Sequence, residues 1–216
     1  MTAAHPGVRT IDLGLVDYLE AHRQQQALVE KRIAGEIEDT LLLLEHPHVF
    51  TRGRKARDAS NILAAGDVPV VAVERGGDVT YHGPGQVVAY PIFQLVEGER
   101  DAPAFIRRLE SWVIAGLKRV GIDTADRRRG YAGVWCGEQK IASVGVAVTA
   151  QWVTWHGIAI NVEPDLSYFS RINPCGMAAS VMTSVVDLTG QPCSVETMKR
   201  ALSAEMSEHL RRTDLS

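Results

Sequence analysis

Arg75-Gly-Gly-Asp-Val-Thr-Tyr-His-Gly-Pro-Gly85 sets four glycines and a proline in a polar stretch that follows the apolar run Val68-Pro-Val-Val-Ala-Val73. A simple turn needs only one or two residues of this kind. Glycine lets a backbone approach a ligand closely, at a cost in chain entropy. With Arg75, Tyr81 and His82 among them, these residues read as a binding wall. Taken alone, the motif could also be a loop that merely threads between two strands.

Working outward, Leu41 to Leu44, Val70 to Val73 and Gln86 to Phe93 are short apolar runs bounded by Pro, Gly and charges, as buried strands are. Pro91 places the last near a sheet edge or a bulge. Apolar residues between Leu13 and Ile33 recur at helical spacing, with Gly35 where the helix would stop. Asp101 and Pro103 open a second helix, Ala102 to about Val120, which Gly121 ends and which should pack on the sheet. Residues 130 to 134, 140 to 149 and 152 to 162 carry strand composition, with Gly137-Glu-Gln139 as a turn, and predict a three-stranded meander. Residues 164 to 174 read as a loop and 177 to 188 as helical or semi-helical. Ser194 caps a last helix with Val195, Met198, Leu202, Met206 and Leu210 on one face, and Arg211 and Arg212 suit its negative end.

The 216 residues, 45% of them hydrophobic, suffice for a sizeable core in a single domain spanning 1–216. A formal charge of -3 argues against a general nucleic-acid binder. The basic runs Arg52-Gly-Arg-Lys55 and Arg127 to Arg129 read as solvated surface. The first residues do not resemble a signal peptide, and no apolar run approaches the roughly 20 residues of a spanning helix, so a soluble, cytoplasmic protein is expected without membrane partners. The three cysteines, Cys136, Cys175 and Cys193, lack C-x-x-C spacing, and at least one thiol is free. His46, His48, His82 and His156 follow no metal-binding spacing, so no metal is expected.

Cys175 lies in Asn173-Pro-Cys-Gly176, where a following helix would aim its free N–H groups at the sulfur. Such a setting moves a thiol from about 8.5 toward ~7 and makes the nucleophilic thiolate abundant at neutral pH. A lone cysteine is also often buried and inert, which is how Cys136 and Cys193 are read. Lys140 opens the strand Lys-Ile-Ala-Ser-Val-Gly-Val146 at the rim of the sheet, where partial burial lets an amine exchange a proton. Ser143 and Gly145 share one face of that strand, and Gly145 leaves room for an acyl chain or a bulky core side chain. His156-Gly-Ile-Ala-Ile-Asn161 would complete a slot opposite it.

Together, Arg75 to Gln86, Lys140 to Val146, His156-Gly157 with Asn161, and Pro174-Cys-Gly176 resemble the lipoyl(octanoyl) transferase family, from about Glu45 to Thr183. The resemblance implies an α+β fold shared with the catalytic domain of biotin and lipoate protein ligases, a mixed central sheet flanked by helices. It implies that Cys175 takes octanoyl from acyl carrier protein as a thioester, that Lys140 depresses the thiol pKa and shuttles protons, and that no cofactor is needed. The acyl group would pass to a lysine of lipoyl domains of 2-oxoacid dehydrogenases and of the glycine cleavage H protein. Arg75, Gly76, Gly77, Asp78, Val79, Thr80, Tyr81 and His82 would enclose it, with Ser143, Val144 and Gly145 and with Gly157, Ile158 and Ala159. Asp78 stands where relatives often carry an amide or a basic side chain, and is expected to face Arg75 or solvent. Two rivals are an ATP-dependent lipoate-protein ligase of the same fold and a non-catalytic protein that binds acyl chains or their carrier.

Overall fold

A computed structural model of the chain describes residues 7–56, 60–174 and 177–210. Its strands are β1 (Arg9–Leu15), β2 (Thr40–Glu45), β3 (Val49–Arg52), β4 (Val70–Ala72), β5 (Val79–His82), β6 (Gln86–Ile92), β7 (Ala125–Arg128), β8 (Tyr131–Cys136), β9 (Gln139–Val148) and β10 (Thr154–Asn161). Its α-helices are α1 (Tyr18–Ile33), α2 (Ala102–Arg119), α3 (Val185–Thr189) and α4 (Val195–His209). Seven strands form one sheet in the order β1-β2-β6-β10-β9-β8-β7, and three form a smaller one, β4-β3-β5. β1 and β2 run parallel, while the other neighbours of the large sheet are antiparallel.

Alternation along the strands decides what each face of the large sheet meets. Leu41 and Leu43 of β2 and Val87 and Ala89 of β6 face α2 and α4, where Leu109, Trp112, Leu117, Met198 and Leu202 fill the main core. Leu42, Leu44, Val88 and Tyr90 face the other way, onto Ala21 and Leu28 of α1. On the first face α2 and α4 touch closely: a Cβ on Gly116 would lie 2.8 Å from Leu202 Cδ2, and Trp112 Nε1 donates to the Leu202 carbonyl at 2.8 Å. The sheet is mixed and flanked by helices, as expected. None of the helices among the described residues is long and apolar enough to cross a membrane.

Several boundaries differ from the sequence reading. Leu13 belongs to β1, not to the first helix: the helix begins after Asp17, whose carboxylate accepts from the amides of Leu19 and Glu20. Its far end is as read, with Gly35 at φ 74°. β4 is not buried, since Val70 is 41% exposed at the edge of the small sheet. β6 is central rather than near an edge, and Pro91 is tolerated because the β6–β10 ladder stops at Ala89–Ile158. Beyond that point Thr154 takes over, its hydroxyl donating to the Pro91 carbonyl at 2.7 Å and accepting from Phe93 N at 3.1 Å. The meander of β8, β9 and β10 matches, with β7 as an additional strand. The loop from 164 contains a 3₁₀ turn, Leu166–Arg171, and the stretch from 177 contains another, Ala179–Val181, before α3. Arg211 and Arg212 lie outside the described residues.

Gly157 sits where β10 parts from β6, and a Cβ there would come within 2.0 Å of the Ala89 carbonyl oxygen and 2.8 Å of Pro91 Cδ. Backbone on a central strand cannot yield locally. Gly157→Ala is expected to destabilise the fold by at least about 2 kcal/mol, as overpacking at a rigid site does; an unchanged urea midpoint would show that β6 and β10 have room to separate.

Candidate active site

The glycine-rich stretch is held from below by Arg75. Its guanidinium is buried: Nη2 donates to the Thr51 carbonyl and hydroxyl, each at 2.8 Å, and Nη1 donates to the Gly76 carbonyl at 3.0 Å. These bonds tie the loop to β3. The Gly76 amide donates to the Val146 carbonyl of β9 at 2.9 Å, so the loop lies on the strand edge-on. At Gly145 a Cβ would stand 2.9 Å from the Gly76 oxygen and 3.1 Å from Arg75 Cδ, which explains the bare position on β9.

Between loop and sheet runs a narrow cleft. Arg75, Gly77, Thr80 and His82 form one wall, Lys140 with Ser143, Val144 and Gly145 a second, and Gly157, Ile158 and Ala159 a third. Gly76 and Asp78 line an adjoining groove with Lys55, Lys140, Val144, Gly145 and Met177. Val79 and Tyr81 point elsewhere. Because side chains alternate along β5, they enter a separate core with Phe50, Phe169, Ile172 and Met182, while Thr80 and His82 face the cleft. Asp78 faces neither Arg75 nor open solvent, since its carboxylate accepts from Asn61 Nδ2 and from the Val79 amide, each at 2.7 Å.

Lys140 is 4% exposed, not at an open rim, and its Nζ stands 5.5 Å from the centre of the Trp135 ring. Its carbonyl accepts from the Thr183 amide at 3.1 Å, and Met182 bridges it in parallel. The segment after residue 177 is thereby fastened along the start of β9. Cys175 and Gly176 lie outside the described residues. On either side of them the Met177 amide donates to the Pro174 carbonyl at 3.1 Å, and Met177 shares the groove with Lys140. Cys136 and Cys193 are buried, and burial pushes both thiols up, away from the thiolate.

The cleft also holds residues that the sequence did not single out, namely Tyr18, Val88 and Tyr90. His46, behind them, has Nε2 2.8 Å from the Tyr90 hydroxyl and Nδ1 2.8 Å from the Val16 carbonyl. A carbonyl only accepts, so Nδ1 carries the proton and Nε2 accepts from Tyr90. Burial raises Tyr18 to about 12 and Tyr90 well above the usual phenol range, so both stay protonated. It lowers His46 to about 4, and lowers His82 well below the ordinary imidazole value. His156 falls to about 3, again chiefly by burial, with the proximity of His22 and Arg75 adding to it. His156 also has a left-handed backbone, φ 54°, with its amide donating to Gln25 Oε1 at 2.8 Å. Tyr90 lies two residues from Val88 on β6, so the strand period carries a hint of it; Tyr18 and His46 meet the cleft only through tertiary folding.

The same frame occurs in solved enzymes. A bi-partite lipoate protein ligase from Thermoplasma acidophilum superposes with a TM-score of 0.73 at 19% identity, covering 97% of this chain and 87% of that one. Biotin protein ligase from Aquifex aeolicus, in complex with biotin and ATP, gives 0.58 at 17%, covering 94% and 70%. At such identities the likeness defines the fold, that of a lipoate and biotin protein ligase catalytic domain. Residues 17–207 match the family of the lipoyl protein ligase A/B catalytic domain. An octanoyltransferase of Syntrophotalea carbinolica is 46% identical over 188 residues, 87% of each chain, and one of Rubrobacter xylanophilus is 44% identical over 204 residues, 91% of this chain and 90% of that. The chain therefore belongs to the octanoyltransferase branch of this family, and is an acyltransferase.

The buried His46 gives the fold a defined acid sensitivity. The unfolded chain takes up that proton near pH 6.5 and the folded chain only near 4. Between these values unfolding is accompanied by proton uptake, so stability falls as pH falls through the window, by up to roughly 3 kcal/mol from His46 alone. His82 and His156 act in the same direction. Urea unfolding at pH 7 and pH 4.5 should show the loss, and His46→Gln should have a shallower pH dependence; an identical slope in the variant would remove His46 as its source.

Proposed function

We propose that the chain transfers an octanoyl group from octanoyl-acyl carrier protein to a lysine of lipoyl domains, through a thioester on Cys175 assisted by Lys140. The observation that carries the reading is the buried Lys140, which closes one end of the cleft and opens onto the groove that Met177 also lines. The cleft suits an acyl tail, because Val88, Val144, Ile158 and Ala159 offer apolar surface while Gly145 and Gly157 offer none that would obstruct it. Arg75, Gly76, Gly77, Asp78, Thr80 and His82 enclose the chain from the loop side, with Val79 and Tyr81 supporting β5 from behind.

In the first half-reaction the Cys175 thiolate attacks the donor carbonyl. The carbon–sulfur bond to the carrier breaks, and the carrier thiol leaves with a proton from Lys140. In the second, the acceptor lysine amine attacks the acyl-enzyme, forming an amide and releasing Cys175 as thiolate, while Lys140 takes the surplus proton. Thioester exchange is close to energetically neutral and amide formation runs downhill, so ATP has no step to drive. Backbone N–H groups of the glycine-rich loop or beside Cys175 would hold the tetrahedral oxyanion, worth about 3 kcal/mol. The acceptors are lipoyl domains of 2-oxoacid dehydrogenases and of the glycine cleavage H protein, and the donor places the reaction in the cytoplasm. In support, the T. acidophilum ligase belongs to a lipoylation system together with its E2 lipoyl domain.

The rival reading is ligation through an adenylate, because lipoate-protein ligase A bound with ATP shares the fold at a TM-score of 0.69. The curated octanoyltransferases, 41% to 48% identical, favour transfer. Intact-mass analysis after mixing with octanoyl-acyl carrier protein should show one octanoyl group added without ATP. Cys175→Ser should abolish the adduct, and Lys140→Ala should slow transfer about 100-fold or more, the usual scale of a lost acid–base group. Transfer that requires ATP, or that survives Cys175→Ser undiminished, would overturn the proposal.

A further inference from the structure

At the end of the cleft remote from Lys140, three side chains from distant parts of the sequence converge. They are His22 on α1, Glu74 in the turn before Arg75, and His156 near the start of β10. Glu74 Oε2 stands 3.0 Å from His22 Nε2 and 3.7 Å from His156 Nε2, and all three atoms lie within 4.8 Å of one another. We propose that His22, Glu74 and His156 form a binding site for one divalent transition-metal ion of the zinc class.

The observation that asks for a ligand is His156. Its side chain is 1% exposed, Nε2 is directed at Glu74, and neither ring nitrogen makes a hydrogen bond. Buried polar atoms are nearly always paired, and one that is not calls for a cause. A proton shared between His22 and Glu74 accounts for those two residues and leaves His156 unexplained. A cation between the three satisfies it.

The donor set selects the ion. Two imidazole nitrogens and one carboxylate suit zinc and its neighbours, whereas magnesium and calcium take oxygen ligands. With metal–ligand bonds of about 2.0–2.2 Å, tetrahedral ligand atoms stand roughly 3.3–3.6 Å apart. The 3.0 and 3.7 Å separations from Glu74 straddle that spacing and the two histidines stand within 4.8 Å of each other, so the three side chains draw together to seat an ion. The surroundings already hold the ligands. Trp155 stacks on the His156 ring at 4.4 Å and leans on His22 at 5.4 Å, and Arg54 Nε donates to the Glu74 carbonyl. The nearby Arg75 guanidinium is directed onto Thr51 and the Gly76 carbonyl. A fourth coordination position is left for water.

The site does not depend on octanoyl transfer. His156 pairs with Val146, six residues along β9 from Lys140, or about 20 Å. The test uses the untagged, metal-free full chain, titrated with Zn²⁺ against a chromophoric chelator and separately with Co²⁺, whose visible spectrum reports its ligands. One equivalent of Zn²⁺ is expected. His22→Gln and Glu74→Gln should each weaken binding by at least about tenfold, the loss that even supporting residues of metal sites produce. Glu74 is half-exposed, so its variant keeps the fold and the test stands if His22→Gln does not. The Co²⁺ spectrum should show nitrogen and oxygen ligation and be the same in Cys175→Ser. The proposal fails if Zn²⁺ does not bind, if both variants bind like the parent, or if binding is lost instead in Cys175→Ser or in His209→Gln, which removes a second His/Glu cluster on α4.

Discussion

Everything about the cleft depends on one backbone hydrogen bond, from the Gly76 amide to the Val146 carbonyl. It fixes how far the glycine-rich loop stands from β9, and therefore how wide the slot between them is. The bond forms because position 145 has no side chain and because Arg75, buried under the loop, spends its donors on Thr51 and on the loop's own carbonyl. A buried guanidinium is unfavourable unless its N–H groups are met. Here the carbonyls of two different segments meet them, so the charge itself fastens the loop.

A second property follows from burial. His46, His82 and His156 surround the cleft, yet all three are held neutral at physiological pH, and the tyrosines among them keep their protons. The Arg75 guanidinium stays charged beside them. An interior of low dielectric strengthens whatever such charges do. Near neutral pH these imidazoles therefore do not compete for a proton in the cleft.

Much of the frame was legible because local chemistry and global fold agree. Asp101, Pro103 and Gly121 mark α2, Ser194 marks α4, and strand composition with the turn at Gly137 marks the meander. Where the two periods overlap, legibility fails: Leu13 and Leu15 fit a helix as well as a strand, and only pairing with β2 and the Asp17 cap decide between them. β5 is four residues long inside a glycine-rich stretch, so its alternation was hidden, and Val79 and Tyr81 could not be told from their cleft-facing neighbours. Tyr18 and His46 reach the site from elements with no motif of their own. The placement of Cys175 relative to Lys140, which the resemblance implies, falls outside the described residues.

The close seating of α4 on α2 also bears on biosynthesis. The acceptor for the Trp112 indole N–H and the side chains that fill the space over Gly116 come from α4, far later in the sequence than α2. A nascent polypeptide grows from its N-terminus, so one apolar face of the large sheet and its first covering helix must wait without their partner until α4 has been made. The interior closes only once α4 has emerged, and a chain interrupted before that segment presents adhesive surface to the cell.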